Sequence, residues 1–133
     1  MTNFKLAIAA TAVATVAACT SPVEDLSALN FTPMTGPQIT VALVGNSLDG
    51  EDSDGEYIIH YDTDRTMAIS YRGRTETGVW RVQGDRYCRR WQTFGNGKER
   101  CVTFYRNGNQ INWVANGEIT DRSVLVRGNP AGL

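Results

Sequence analysis

The sequence predicts an all-β domain, an antiparallel meander of about seven or eight short strands curled into a small barrel or strongly bent sheet, with one short N-terminal helix. Two observations carry that expectation. From Ser47 onward, short runs of β-branched and aromatic residues are separated by Gly, Asn and Asp clusters about every ten residues. The connections so marked are short, which makes consecutive strands antiparallel neighbours.

Taken in order, Thr35-Gly36-Pro37 opens a segment that closes at Gly45. Pro in a first turn and Gly after a last one punctuate a helix, so Gln38–Val44 reads as a short helix, although Ile39-Thr40-Val41 equally suits a strand. Tyr57-Ile58-Ile59-His60-Tyr61 leads into the polar turn Asp62-Thr63-Asp64. Period-two alternation turns Tyr57, Ile59 and Tyr61 inward and Glu56, His60 and Asp62 outward. Thr66 to Tyr71 follows, with Met67, Ile69 and Tyr71 on one face. Strands are then expected at 79–83, 87–94, 100–105, 111–115 and 123–127, each closed by a turn such as Gly84-Asp85, Asn107-Gly108 or Asn116-Gly117. Trp80, Trp91, Trp113, Phe104 and Tyr57 suffice for a compact core, or would line a cavity. A barrel of about eight strands is just wide enough for either.

The N-terminus has a different character. Met1 to Lys5 carries one positive charge, and Leu6 to Ala18 is an uncharged run of mostly apolar residues. A charged start, an apolar stretch and closing small residues are the anatomy of a secretory signal peptide. The run is too short to span a bilayer, which takes about 20 apolar residues. Val16-Ala17-Ala18-Cys19 resembles the bacterial lipobox, departing from it only in Val16 where Leu is commonest. The resemblance implies a diacylglyceryl group on Cys19, cleavage before it, and a membrane anchor through lipid. Thr20, standing where Asp would resemble an inner-membrane retention signal, favours the periplasmic face of the outer membrane. The alternative is an ordinary secreted protein cut after Ala18, with Cys19 a spare thiol. Thr20 to about Thr35 is rich in Ser, Thr and Pro and reads as a flexible tether. The expected organisation is thus a signal peptide at 1–18, a tether at 19–35 and a β domain at 36–133.

Cys88 and Cys101 are then an even pair in an oxidising compartment and are expected to be bridged. That bridge constrains register. A two-residue hairpin at Asn96-Gly97 would set Cys88 opposite Tyr105, with Cys101 beyond reach. The bridge therefore requires a longer loop between the two strands. Two thiols make a poor metal site, and the only histidine, His60, lies in another segment, so no metal and no cofactor is expected.

The formal net charge of −1 gives no general argument for nucleic acid. Charge is nevertheless uneven. Asp49, Glu51, Asp52, Asp54 and Glu56 form an acidic run that superficially resembles a calcium loop. Gly50 stands at its first ligand position and Tyr61 where the closing Glu belongs, so a solvated turn is the plainer account. Arg86, Arg89, Arg90, Arg100 and Arg106 are candidates for an anion-binding stripe, with Arg89 and Arg100 able to align on paired strands. The plainer account there is neutralisation by Glu76, Asp85, Glu99 and the acidic run. For catalysis the sequence offers no G-x-S-x-G elbow and no spare reactive cysteine. His60 reads as a solvated strand residue, and a non-enzymatic protein is expected.

Gly45-Asn46-Ser47-Leu48, Gly78-Val79-Trp80, Gly84-Asp85-Arg86-Tyr87-Cys88-Arg89-Arg90-Trp91, Cys101 and Gly128-Asn129-Pro130-Ala131-Gly132-Leu133 together resemble a group of small alphaproteobacterial envelope proteins, secreted or lipid-anchored. The resemblance implies an envelope location and no activity. Gly78-x-Trp80 also resembles the GxW of lipocalins, although theirs lies on the first strand and this one in mid-chain. The expectation is a β domain that binds a small apolar or anionic envelope component. The alternative, suggested by similarity to small disulfide-linked barrels that inhibit metalloproteases, is a module that binds an envelope enzyme as inhibitor or accessory subunit. A cavity favours the first and a filled core the second.

Overall fold

The computed structural model describes residues 22–133. The signal peptide, Cys19 and the first tether residues lie outside that range. The described chain runs α1 (Pro22–Ala28), β1 (Thr32–Pro33), α2 (Gly36–Leu43), β2 (Ser47–Asp52), β3 (Gly55–Tyr61), β4 (Thr66–Tyr71), β5 (Arg74–Gln83), β6 (Arg86–Trp91), a 3₁₀ turn at Phe94–Gly97, β7 (Arg100–Asn107), β8 (Gln110–Ala115) and β9 (Glu118–Val126). Strands β2 to β9 each pair antiparallel with the next, and β9 returns to β2, closing an eight-stranded up-and-down barrel. β1 is an extra rung on β7, with Thr32 opposite Arg106. The expected meander is therefore present and closed.

Some element boundaries differ from the sequence reading. The acidic run was expected as a turn, yet Ser47 to Asp52 is a strand, with Leu48, Gly50 and Asp52 inward and Asp49 and Glu51 outward. It is held by pairing with β3 on one side and β9 on the other. β5 begins at Arg74, five residues before the expected start at Val79. Its first inward positions are Glu76 and Gly78, neither of which announces a core face. The stretch 22–35, expected as tether, is docked from Pro22 on. Leu26 and Phe31 pack with Val114 on the outer wall, and Met34 joins the main core. The reason is burial. Each such side chain contributes about 1.5–3 kcal/mol when removed from water, enough to hold a short segment that has no periodicity of its own.

The helix α2 closes one end of the barrel, the floor. Thr35 caps it reciprocally with Gln38, and Ile39 and Leu43 are fully buried in the same core as Leu48, Tyr61 and Trp80. Its N-terminus abuts the β5–β6 turn, where the Gly36 amide donates to Asp85 Oδ1 at 2.8 Å. A Cβ on Gly36 would stand 2.2 Å from the Gly84 carbonyl oxygen, so only glycine permits that approach. Above the floor the interior is filled by aromatic rings. Tyr87 stacks on Phe104 at 4.7 Å and meets Trp113 edge-on at 5.4 Å. The Tyr61 and Tyr87 hydroxyls bond to each other at 3.0 Å.

The expected disulfide is present, joining Cys88 and Cys101 as directly opposed residues of β6 and β7. The loop between those strands is long, as the bridge demands. Asn96 lies inside it with left-handed backbone, in the 3₁₀ turn rather than in a two-residue hairpin. The dipeptide does form such a hairpin at Asn116-Gly117, with φ of 53° and 76°, between β8 and β9.

Candidate functional site

The end of the barrel opposite α2 is its mouth, ringed by the β2–β3, β4–β5, β6–β7 and β8–β9 connections. A cup of about 230 Å³ opens there, lined by Tyr57, Trp91, Phe94, Trp113, Arg89 and Asp121 among others. Each lining residue is delivered by strand alternation. On β6, Tyr87, Arg89 and Trp91 face inward, because Tyr87 and Trp91 must be buried and Arg89 lies between them. Cross-strand pairing puts Arg100 of β7 opposite Arg89. The alignment considered from sequence exists, but it faces into the barrel.

The remaining candidate arginines are elsewhere. Arg86 and Arg90 have the opposite parity on β6 and lie on the outer wall. Arg86 donates to the Cys101 carbonyl at 2.9 Å, and Arg90 borders an outer hollow. Arg106 is at the floor end of β7 and donates to the Gly108 carbonyl at 2.6 Å. The five do not make one stripe, because a strand sends neighbouring residues to opposite faces. Two of the acids expected to neutralise them have other roles. Asp85 holds α2, and Glu99 pairs with Arg81 at 2.5 Å. Glu76, by sequence only a counter-charge, organises the rim. Its carboxylate accepts from the Thr93 amide and hydroxyl and from the Phe94 amide at 3.2 Å, tying the β6–β7 loop to β5. No sequence signal marks it, since an acidic residue within a polar stretch looks solvated.

The polar groups of the cup are under-used. Arg89 makes no hydrogen bond or ion pair among the described residues, and its guanidinium lies 5.6 Å from the centre of the Trp113 ring. The Tyr57 hydroxyl is buried and makes no hydrogen bond within 3.5 Å, with the Asp121 carboxylate as a looser polar neighbour. Burial first, and then the neighbouring Asp121 carboxylate, push its pKa up. Asp121 is itself only 6% exposed, and burial raises its pKa above the usual carboxylate value despite the opposing influence of Arg89. Asp52, by contrast, is engaged: it accepts from the Asp54 and Gly55 amides at 2.8 and 3.0 Å and from the Tyr71 hydroxyl. The acidic segment thus forms a tight hairpin built around Asp52.

Two larger hollows lie on the outer wall. One, of about 730 Å³, is bordered by Ala68, Thr77, Val79, Arg90 and the C-terminal Leu133, and another, of about 440 Å³, by Phe31, Gln110 and Arg122. Neither contains a buried polar group lacking a partner, whereas the cup does, and on that ground the cup is the candidate site. His60 is on the outer wall with Nδ1 3.2 Å from Ser47 Oγ. Glu99 gathers with Cys88 and Cys101, but those sulfurs are bonded to each other and are not free to ligate a metal.

No family model, curated protein or solved structure matches the chain. The envelope-protein resemblance therefore rests on the residues quoted for it.

Proposed function

We propose that this chain is a non-enzymatic envelope lipoprotein, anchored by lipid on Cys19, whose barrel binds a small envelope molecule in its mouth through an anionic group. The observation that carries the reading is the pairing, in one cup, of an unbonded Arg89 guanidinium with an orphaned Tyr57 hydroxyl. Leaving a polar group buried without a partner costs about 1–3 kcal/mol, a cost that a ligand accepting hydrogen bonds would remove. Arg89 supplies a planar fork suited to carboxylate or phosphate, and Tyr57 a single donor. Trp91, Phe94 and Trp113 supply apolar walls for the rest of the ligand. These are binding groups, and the chemistry they offer is hydrogen bonding to a charge.

The test is native mass spectrometry of the chain from Thr20 onward, exported to the periplasm without its lipid. Extra mass that is lost on denaturation, and absent from Arg89→Met purified alongside, is the expected result. A bare polypeptide mass for the unsubstituted protein, with no anion binding on titration, would overturn the reading.

A further inference from the structure

We infer that the cup takes the zwitterionic headgroup of a membrane phospholipid, with phosphate on the Arg89–Arg100 wall and ammonium on the Asp52–Asp54 wall, and that the mouth faces the bilayer. This rests on the proposed reading of the cup and gives it a ligand class and an orientation.

The first observation is the polarity of the cup. Its cations come from β6 and β7, and its acids from β2, the β2–β3 turn and β9. In the ring of eight strands, β6 is separated from β2 by three strands in either direction, β3 to β5 or β7 to β9, so Asp52 and Asp54 lie across the barrel from Arg89. Asp121 on β9, by contrast, is only one strand removed from β7 and lies within electrostatic reach of Arg89. Aromatic faces, including Tyr57, Tyr71 and Trp113, line the same cup. An aromatic surface beside carboxylates is an ammonium site, as a guanidinium pair is a phosphate site. The cup thus carries both signs of charge, with the two arginines facing Asp52 and Asp54. A cup with cations on one wall and carboxylates on another favours a guest that is charged oppositely at its two ends. Its volume of about 230 Å³ matches roughly eight waters at about 30 Å³ each, enough for a headgroup and too little for an acyl chain.

The second observation is how the chain reaches the barrel. At the end of α1, the Leu29 carbonyl accepts from Asn107 Nδ2, beside the β7–β8 turn at the floor end. Earlier in α1, Val23 and Leu26 pack with Val114 and Ile119, which are paired near the mouth ends of β8 and β9. α1 therefore starts on the mouth side and descends toward the floor. In the sequence only Thr20 and Ser21 separate Cys19 from Pro22. A lipid on Cys19 then holds the rim, and not the α2 end, against the membrane.

Both parts are tested on the full lipidated chain. For orientation, a fluorophore on Ser53→Cys at the rim and one on Thr63→Cys at the floor end are compared in phosphatidylethanolamine–phosphatidylcholine vesicles carrying a nitroxide headgroup quencher. Several-fold stronger quenching at Ser53 is expected; equal quenching, or stronger quenching at Thr63, overturns the orientation. For the ligand, tryptophan fluorescence of the detergent-solubilised chain is titrated with glycerophosphoethanolamine, glycerol 3-phosphate and ethanolamine. The zwitterion is expected to bind about tenfold tighter than either half, and Arg100→Met, at an exposed rim position, to lose about that factor. Equal affinity for glycerol 3-phosphate overturns the zwitterion while leaving an anion-binding cup. Binding of none of the three overturns both. Tight binding of free glycerophosphoethanolamine by a chain whose rim points away from the bilayer overturns the membrane lipid as its source.

Discussion

Tyr57 and Tyr61 are two residues of the same barrel wall, both buried, whose hydroxyls meet opposite conditions. Tyr57 Oη makes no hydrogen bond within 3.5 Å, whereas Tyr61 Oη shares one of 3.0 Å with Tyr87 Oη. Tyr→Phe deletes the same atom from each. At Tyr57 the deletion removes a desolvation cost of about 1–3 kcal/mol and forfeits only the looser polar contact with Asp121. Tyr57→Phe should therefore stabilise the ligand-free domain by about 1 kcal/mol, a rise in Tm of roughly 4 °C or more for a small domain. At Tyr61 the deletion strands the Tyr87 hydroxyl with only the Met67 sulfur at 3.5 Å, and stability should fall by about 1–3 kcal/mol. The two variants should thus separate by about 2–4 kcal/mol despite identical chemistry. Urea unfolding of both with the disulfide intact, followed by tryptophan fluorescence, measures the difference. Equal losses for the two would refute the reasoning, because they would mean that the Tyr57 hydroxyl is bonded in solution. A stabilising Tyr57→Phe that also weakens ligand binding is what a site maintained at a cost to stability predicts.

Asp121 gives a pH dependence. Burial raises its pKa in the fold above the ordinary 3.8, so the folded state holds the proton more tightly than the unfolded one. Its contribution is then fully present below about pH 3.8 and is lost as pH rises through the folded pKa. Asp121→Asn should flatten that part of the stability profile, and an unchanged profile in the variant would remove the assignment. Gly78→Ala should cost about 2 kcal/mol, because the new methyl would stand 2.5 Å from the Trp91 ring and 2.7 Å from the Arg90 carbonyl oxygen. An unchanged urea midpoint would contradict so close an approach.

Alternation was readable where one face of a strand is uniformly apolar. Tyr57, Ile59 and Tyr61 on β3, and Met67 and Ile69 on β4, point inward as their spacing predicts. It was unreadable on β2 and the start of β5, where the inward positions are Gly50, Glu76 and Gly78. The space over the two glycines is taken by other strands' rings, Tyr57 at Gly50 and Trp91 at Gly78. A residue that matters by what it leaves room for carries no hydrophobic signature. The docked segment 22–35 escaped for a related reason: Leu26, Phe31 and Met34 gain their partners only from a wall assembled much later in the chain. Arg89 was visible as a cation but misplaced in a stripe. Its true direction was already implied by Tyr87 and Trp91 on either side of it, since all three share one strand parity.

By itself the sequence determined the antiparallel β class, the turns at Asp62-Thr63-Asp64, Gly84-Asp85, Asn107-Gly108 and Asn116-Gly117, and the need for a long loop between the two bridged cysteines. All three follow from local rules: backbone preferences at Gly and Asn, period-two side-chain direction, and the short reach of a disulfide. Only the tertiary structure decided that β9 closes on β2, that α2 seals one end, and that Arg89 and Asp121 share the other. Those outcomes depend on the curvature of the whole sheet and on contacts between residues far apart in sequence. Closure converts the outward and inward faces of a meander into a wall and a cup, and no local pattern records which charged side chains the cup will enclose.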